Sequence, residues 1–97
     1  MVGRKGVNMM HLYDLLSNLN YKQMVEIIQY SDRRGKERLF VGASKKLYAL
    51  MPHLPLRFVH SQIDTIKTSN SYVITIYLTG TFTVQNIAQI RRVIDGI

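Results

Sequence analysis

The chain reads as a single α+β domain: an antiparallel four-stranded sheet made of two hairpins, with helices, in the order α-β-β-α-β-β-α. Two observations predict it. Two pairs of β-branched and aromatic runs each flank a polar, turn-prone segment, and three other stretches repeat apolar residues every three or four positions. A length of 97 residues suits one core, too small for a deep enclosed site.

From residue 10 to 19, Leu12, Leu15, Leu16 and Leu19 lie on one face of a short helix, which Asn18 and Asn20 suit to end. Residues 24–30 are β-branched and aromatic at Val25, Ile27, Ile28 and Tyr30, and residues 39–41 read the same way, so the two pair as a hairpin. The string SDRRGKER, residues 31–38, is then the connection, with turn chemistry at 32–35. Gly42 and Ser44 end the second strand and cap a helix whose apolar stripe is Leu47, Leu50 and Met51. Lys45 and Lys46 stand in its first turn, where cations oppose the helix dipole, a placement that points to a role other than helix stability. Pro52 and Pro55 close that helix and force an extended path through HLPL.

Residues 58–67 alternate as a third strand, Val59 and Ile63 against His60, Gln62 and Asp64. Residues 72–79 form a fourth, with Tyr72, Ile74, Ile76 and Leu78 on one face and Val73, Thr75, Tyr77 and Thr79 on the other. The polar linker 68–71 makes these a second hairpin. Over residues 83–97, Ile87, Ile90, Ile94 and Ile97 mark an amphipathic helix with Gln85, Gln89, Arg92 and Asp95 outside. One sheet face, or the outer side of this last helix, is expected to stay open for a partner.

Composition narrows the function. Hydrophobic residues at 46% and charged residues at 20% belong to a folded chain. No apolar run reaches the ~20 residues of a membrane span, and residues 1–14 lack the apolar stretch of a secretory signal, so a cytoplasmic protein without membrane partners is expected. With no cysteine there are no disulfides, thiolate nucleophiles or Cys-based zinc sites. Thirteen basic against six acidic residues give +7, which favours polyanions or acidic protein surfaces. Residues 1–9 are expected to be a flexible basic leader ahead of the 10–97 domain. Arg4 and Lys5 lie just upstream of Met9 and Met10, either of which is an alternative start to Met1; without those two cations the balance stays positive.

Catalytic constellations are missing. His11, His53 and His60 do not pair at metal-ligand spacing. On a regular strand His60 and Asp64 share a face and Ser61 points away, the wrong geometry for a nucleophile and its base. Asp32 and Glu37 share a solvated loop, unsuited to an acid/base pair, and no phosphate-binding glycine motif or nucleophile elbow occurs. The expectation is a non-enzyme with no cofactor and no metal.

Binding is what remains. Arg33, Arg34, Lys36 and Arg38 at the hairpin tip, with Lys45 and Lys46 behind them in sequence, form one patch if the second helix begins on the tip side; such a patch contacts nucleic acid or an acidic partner, and otherwise the tip is a solvated turn. Tyr13, Tyr21, Tyr30, Tyr48, Tyr72 and Tyr77 are stacking platforms or core edges. Ile87, Ile90 and Ile94 either pack within the domain or pair with a second copy in a homodimer.

The strings LYDLLSNLN, MVEIIQY, a charged turn, LFVGASKKL and YVITIYL, within residues 10 to 79, resemble small accessory proteins encoded by phages and mobile elements of Gram-positive bacteria. The resemblance implies an accessory role rather than catalysis, and a host or phage protein as partner, inhibition of a defence complex being one form of it. The alternative partner is DNA or RNA, held through the basic tip and helix start.

Overall fold

The computed structural model describes residues 10–68 and 72–96, and in it a mixed four-stranded sheet carries helices against one face. In chain order the elements are α1 (Leu12–Asn18), β1 (Met24–Ser31), β2 (Gly35–Ala43), α2 (Ser44–Leu50), a 3₁₀ turn (Met51–His53), α3 (Leu56–Val59), β3 (Ile63–Thr68), β4 (Val73–Phe82) and α4 (Val84–Asp95). The expected leader, residues 1–9, lies outside the described residues, as do 69–71 of the expected second turn and Ile97.

Both expected hairpins form, β1 with β2 and β3 with β4, but the sheet is not purely antiparallel. Its order is β2-β1-β4-β3, and the two hairpins join through a parallel β1–β4 pair. Period-two alternation identifies a strand and its buried face, and it is blind to the direction of the neighbour. Parallel neighbours need a long crossover, and here residues 44–62 carry the chain from the β2 edge to the β3 edge.

A second correction concerns the start of the third strand. Phe58 and Val59 lie in α3, and the strand begins only at Ile63. Pro55 stands at the helix N-cap, and its carbonyl accepts from the amides of Phe58 (2.9 Å) and Val59 (3.0 Å), closing a helical turn that buries both side chains. The apparent alternation through Val59, Gln62 and Ile63 therefore spans a helix end and a strand start. Ser61, off the strand, donates its hydroxyl to the Arg57 carbonyl at 2.9 Å.

The core lies between the sheet and its helices. Val25 and Ile27 of β1, Phe40 of β2, Ile63 of β3 and Ile76 and Leu78 of β4 meet Leu12 and Leu16, Leu47 and Leu50, Phe58 and Val59, and Ile87, Ile90 and Ile94. A register shift between Ile27 and Ile28 leaves Leu39 without a partner on β1, so that Leu39 and Phe40, neighbours in sequence, are both buried. Gly42 leaves room for the Phe40 ring, whose Cζ would stand 2.9 Å from an added Cβ. A second irregularity follows Leu78, where Gly80 turns with φ +79 and the fully buried Gln29 donates its amide to the Gly80 carbonyl at 2.9 Å.

The first amides of α2 find backbone rather than side-chain caps: Ser44 N donates to Gln23 O at 2.7 Å and Lys45 N to Tyr21 O at 2.9 Å. The segment leading into α1 is tied down in the same way, Leu12 N to Ser61 O at 2.8 Å and Ile63 N to Met10 O at 3.0 Å. On α4, Thr83 caps the helix by accepting from Asn86 N at 3.0 Å.

Phe58 anchors the crossover from a four-residue helix that has almost no intrinsic stability of its own. Truncating it by Phe58→Ala is expected to cost about 3–5 kcal/mol, read from the urea midpoint, with an unchanged slope.

Candidate functional site: the open sheet face

The in-out alternation that buries Val25, Ile27, Ile76 and Leu78 turns their neighbours to the opposite side of the sheet. Among the described residues no helix covers that side. Cross-strand pairing sets its rows: Arg38 opposite Ile28 and Ile28 opposite Tyr77, which faces Thr65; Lys36 opposite Tyr30; Val41 opposite Glu26, followed by Thr75 and Lys67. The four strands make it about 14 Å wide.

Tyr77 sits near the middle with a lysine on each side. Lys36 Nζ lies 5.8 Å from its ring centroid and Lys67 Nζ 5.4 Å, within cation–π range. The ring draws together two ammonium groups from the opposite edge strands that would otherwise repel. Tyr30 stands beside this group with 44% of its surface exposed, while Ile28 is buried beneath it yet apart from the main core. Glu26 supplies the counter-charge, accepting from Thr75 Oγ1 at 2.9 Å and pairing with Arg38 at 3.5 Å. Lys36, Arg38 and Lys67 against Glu26 leave the face positive.

The six basic residues picked out by sequence do not form one patch. β2 runs away from the tip before α2 begins, so Lys45 and Lys46 lie about 25–30 Å along the strand from Arg33 and Arg34. Arg34 pairs with Glu37 (Nε to Oε2, 3.1 Å), and Glu37, at the start of β2, also accepts from Arg91 of α4 at 3.0 Å, bracing the hairpin against the last helix. The turn is built by Ser31, whose Oγ accepts from the amides of Arg33 (3.1 Å) and Arg34 (2.9 Å), with Gly35 at φ +72. Lys45 lies 5.6 Å from the Tyr21 ring, and Lys46 faces a groove along β2. Only Lys36 and Arg38 belong to the open face, where Lys67, Tyr30 and Tyr77 join them. Nothing in the sequence ties Lys67 to Lys36; the parallel β1–β4 pairing does, by bringing Tyr77 between the two edge strands.

Ile87, Ile90 and Ile94 are buried, at 0%, 0% and 6% exposed, in the chain's own core. Self-association through them would have to open that core.

On the helical side Tyr13 and Tyr48 stack at 5.5 Å, with their hydroxyls 3.2 Å apart, beside His60 and above a groove of about 340 Å³ that Met51, Pro52 and Leu56 complete. The hydrogen bond with Tyr13 first, then the charge of Tyr13 and then burial, push the ionisation of Tyr48 above the ordinary tyrosine value. Among the described residues, no three or more His, Asp or Glu stand together as metal ligands, and no helix is long and apolar enough to cross a membrane. No family of known proteins, no curated protein and no solved structure matches the chain.

The Tyr13–Tyr48 contact has a pH signature. Tyr13→Phe removes the hydroxyl that holds Tyr48 protonated, so Tyr48 is expected to ionise at lower pH than in the wild type. Ultraviolet titration, with Tyr48→Phe as the reference that identifies its contribution, checks this, and an unmoved titration refutes the contact.

Proposed function

We propose that this chain is a non-enzymatic accessory protein that binds a macromolecule, of the kind encoded by the phages and mobile elements its sequence resembles, and that its open sheet face binds single-stranded nucleic acid. The supporting observation is Tyr77 held between Lys36 and Lys67 on an uncovered sheet with Tyr30 alongside. Flat aromatic faces among cations are what a single strand requires: bases stack on the rings while phosphates take the ammonium groups. A phosphate that draws Lys36 and Lys67 outward also clears the ring they shield. A duplex hides its bases and meets only the charge, so single strands are favoured. A cytoplasmic location belongs to the same proposal, consistent with a cysteine-free chain.

A second reading, a host protein such as a defence complex, is favoured by the groove at Tyr13 and Tyr48. Leu56 projects there 73% exposed beside the two tyrosines, an apolar and aromatic combination typical of interface anchors.

Fluorescence anisotropy with short labelled oligonucleotides separates these. The expected result is tighter binding of single strands than of duplex, a Kd in the range of about 10⁻⁴–10⁻⁶ M that weakens steeply with salt, and loss of at least about tenfold in affinity on Tyr77→Ala or on Lys36→Gln with Lys67→Gln. Binding that ignores these positions, or none at low salt, overturns the nucleic-acid reading and leaves the protein partner, for which Leu56→Glu is the informative variant.

A further inference from the structure

The β2 edge carries a second feature, separate from the open face. β2 is the terminal strand of the sheet and pairs only with β1 among the described residues, so alternate amides and carbonyls along its outer side point away from the sheet. Between this edge and the C-terminal half of α4 lies a groove of about 370 Å³, lined by Arg38, Leu39, Phe40 and Val41 of the strand, Arg91 of the helix and Lys46 of α2. A row of backbone groups, a flanking helix and a gap between them is the arrangement by which folded domains accept an extended peptide as an added strand.

The charge of the groove says which peptide. Arg38, Lys46 and Arg91 face it, against the single carboxylate of Asp95. Arg91 gives one Nη to Glu37 at 3.0 Å and retains further donors on its guanidinium, and Lys46 forms no ion pair among the described residues. Lys46, like Lys45, also stands against the dipole of its own helix, and of the two it is Lys46 that lines the groove, where a carboxylate would offset that cost. Val41, 51% exposed on an edge strand, is an apolar contact waiting beside these cations. A second copy of the chain is the wrong occupant: pairing β2 with β2 would bring these cations against their own copies, with the bulge at Leu39 twisting both edges.

We propose that the groove between the outer edge of β2 and α4 binds an extended acidic peptide of a partner protein, added as a fifth strand alongside β2 with its carboxylates on Lys46, Arg91 and Arg38. Four consecutive strand residues line the groove, enough for about 13 Å of peptide. This site does not rest on the nucleic-acid reading, since Lys46 and Arg91 lie off the open face and Tyr77 lies off the groove.

The test uses the full chain, ¹⁵N-labelled, titrated with an acetylated peptide of about eight residues alternating valine and glutamate, and with its valine–lysine counterpart. Expected are amide shifts over residues 38–41, at Lys46 and at 91–95 with the acidic peptide, no such shifts with the basic one, and affinity lower by about tenfold or more in Lys46→Glu. That substitution suits a helix first turn, so the fold survives it and loss of binding is not unfolding. Val41→Pro, which deletes an edge amide, is expected to abolish binding. The proposal falls if the acidic peptide gives no shifts at about 1 mM, if both peptides bind alike, if the shifts gather around Tyr30 and Tyr77, or if Lys46→Glu binds as the wild type does. It also falls if a single-stranded oligonucleotide produces the groove shifts at equal affinity, which makes nucleic acid the occupant.

Discussion

The parallel pairing of β1 with β4 is the constraint on which the rest of the molecule depends. The order β2-β1-β4-β3 puts the end of the first hairpin and the start of the second on opposite sheet edges, and the parallel join also puts them at opposite ends of the strands, so the chain must cross the whole sheet before the second hairpin begins. The crossover of residues 44–62 carries α2, the 3₁₀ turn and α3, and its apolar residues enter one core with α1 and α4. All the described helices thereby gather on one face, and no described helix covers the other. The same pairing sets Ile28 opposite Tyr77, and so brings a β2 lysine and a β3 lysine within reach of one ring. Core and surface both follow from the way the two hairpins join.

How much of this was legible in the sequence follows from what local pattern encodes. The isoleucine ladder of α4 and the leucines of α1 were readable because a helix writes its buried face at a fixed period. The two hairpins were readable because strands joined by a short polar turn have one neighbour available. Parallel pairing leaves no such mark, since Ile27 and Ile76 are equally buried whichever way the strands run. At Phe58 the difficulty was scale: one turn of helix is shorter than the window over which periods of 3.6 and 2.0 separate, and only Pro55 announced it. The site was legible as composition and not as arrangement. Two of the six chosen cations reached the open face, and both Tyr30 and Tyr77 were among the tyrosines weighed as stacking platforms.

The charged tip shows why a run of like residues is poor evidence for a patch. Glu37 stands at the start of β2, three residues beyond Arg34, and the strand turns it inward to meet Arg34 and Arg91, where it is largely buried. An unpaired carboxylate in that position would be costly, and two guanidinium groups without it would repel. The charges at the tip therefore act first on the chain itself, fastening the first hairpin to the last helix. What remains outward at the tip is mainly Arg33, too little for a cluster, while the positive charge of the open face stands further along β2 at Lys36 and Arg38.

The bulge at Leu39 divides that charge further. In an unbroken strand Leu39 and Phe40 would point to opposite sides, and one of them would lie on the open face as an apolar residue among cations. With one residue left out of register, both enter the core, while Arg38 and Val41 flank the bulge on the other side of the strand. Arg38 is then shared between the sheet face, where Glu26 holds it, and the groove that Lys46 and Arg91 complete. A bulge also bends an edge away from simple strand-to-strand aggregation. The irregularity that packs Leu39 and Phe40 together is thus what separates two positive surfaces on one strand.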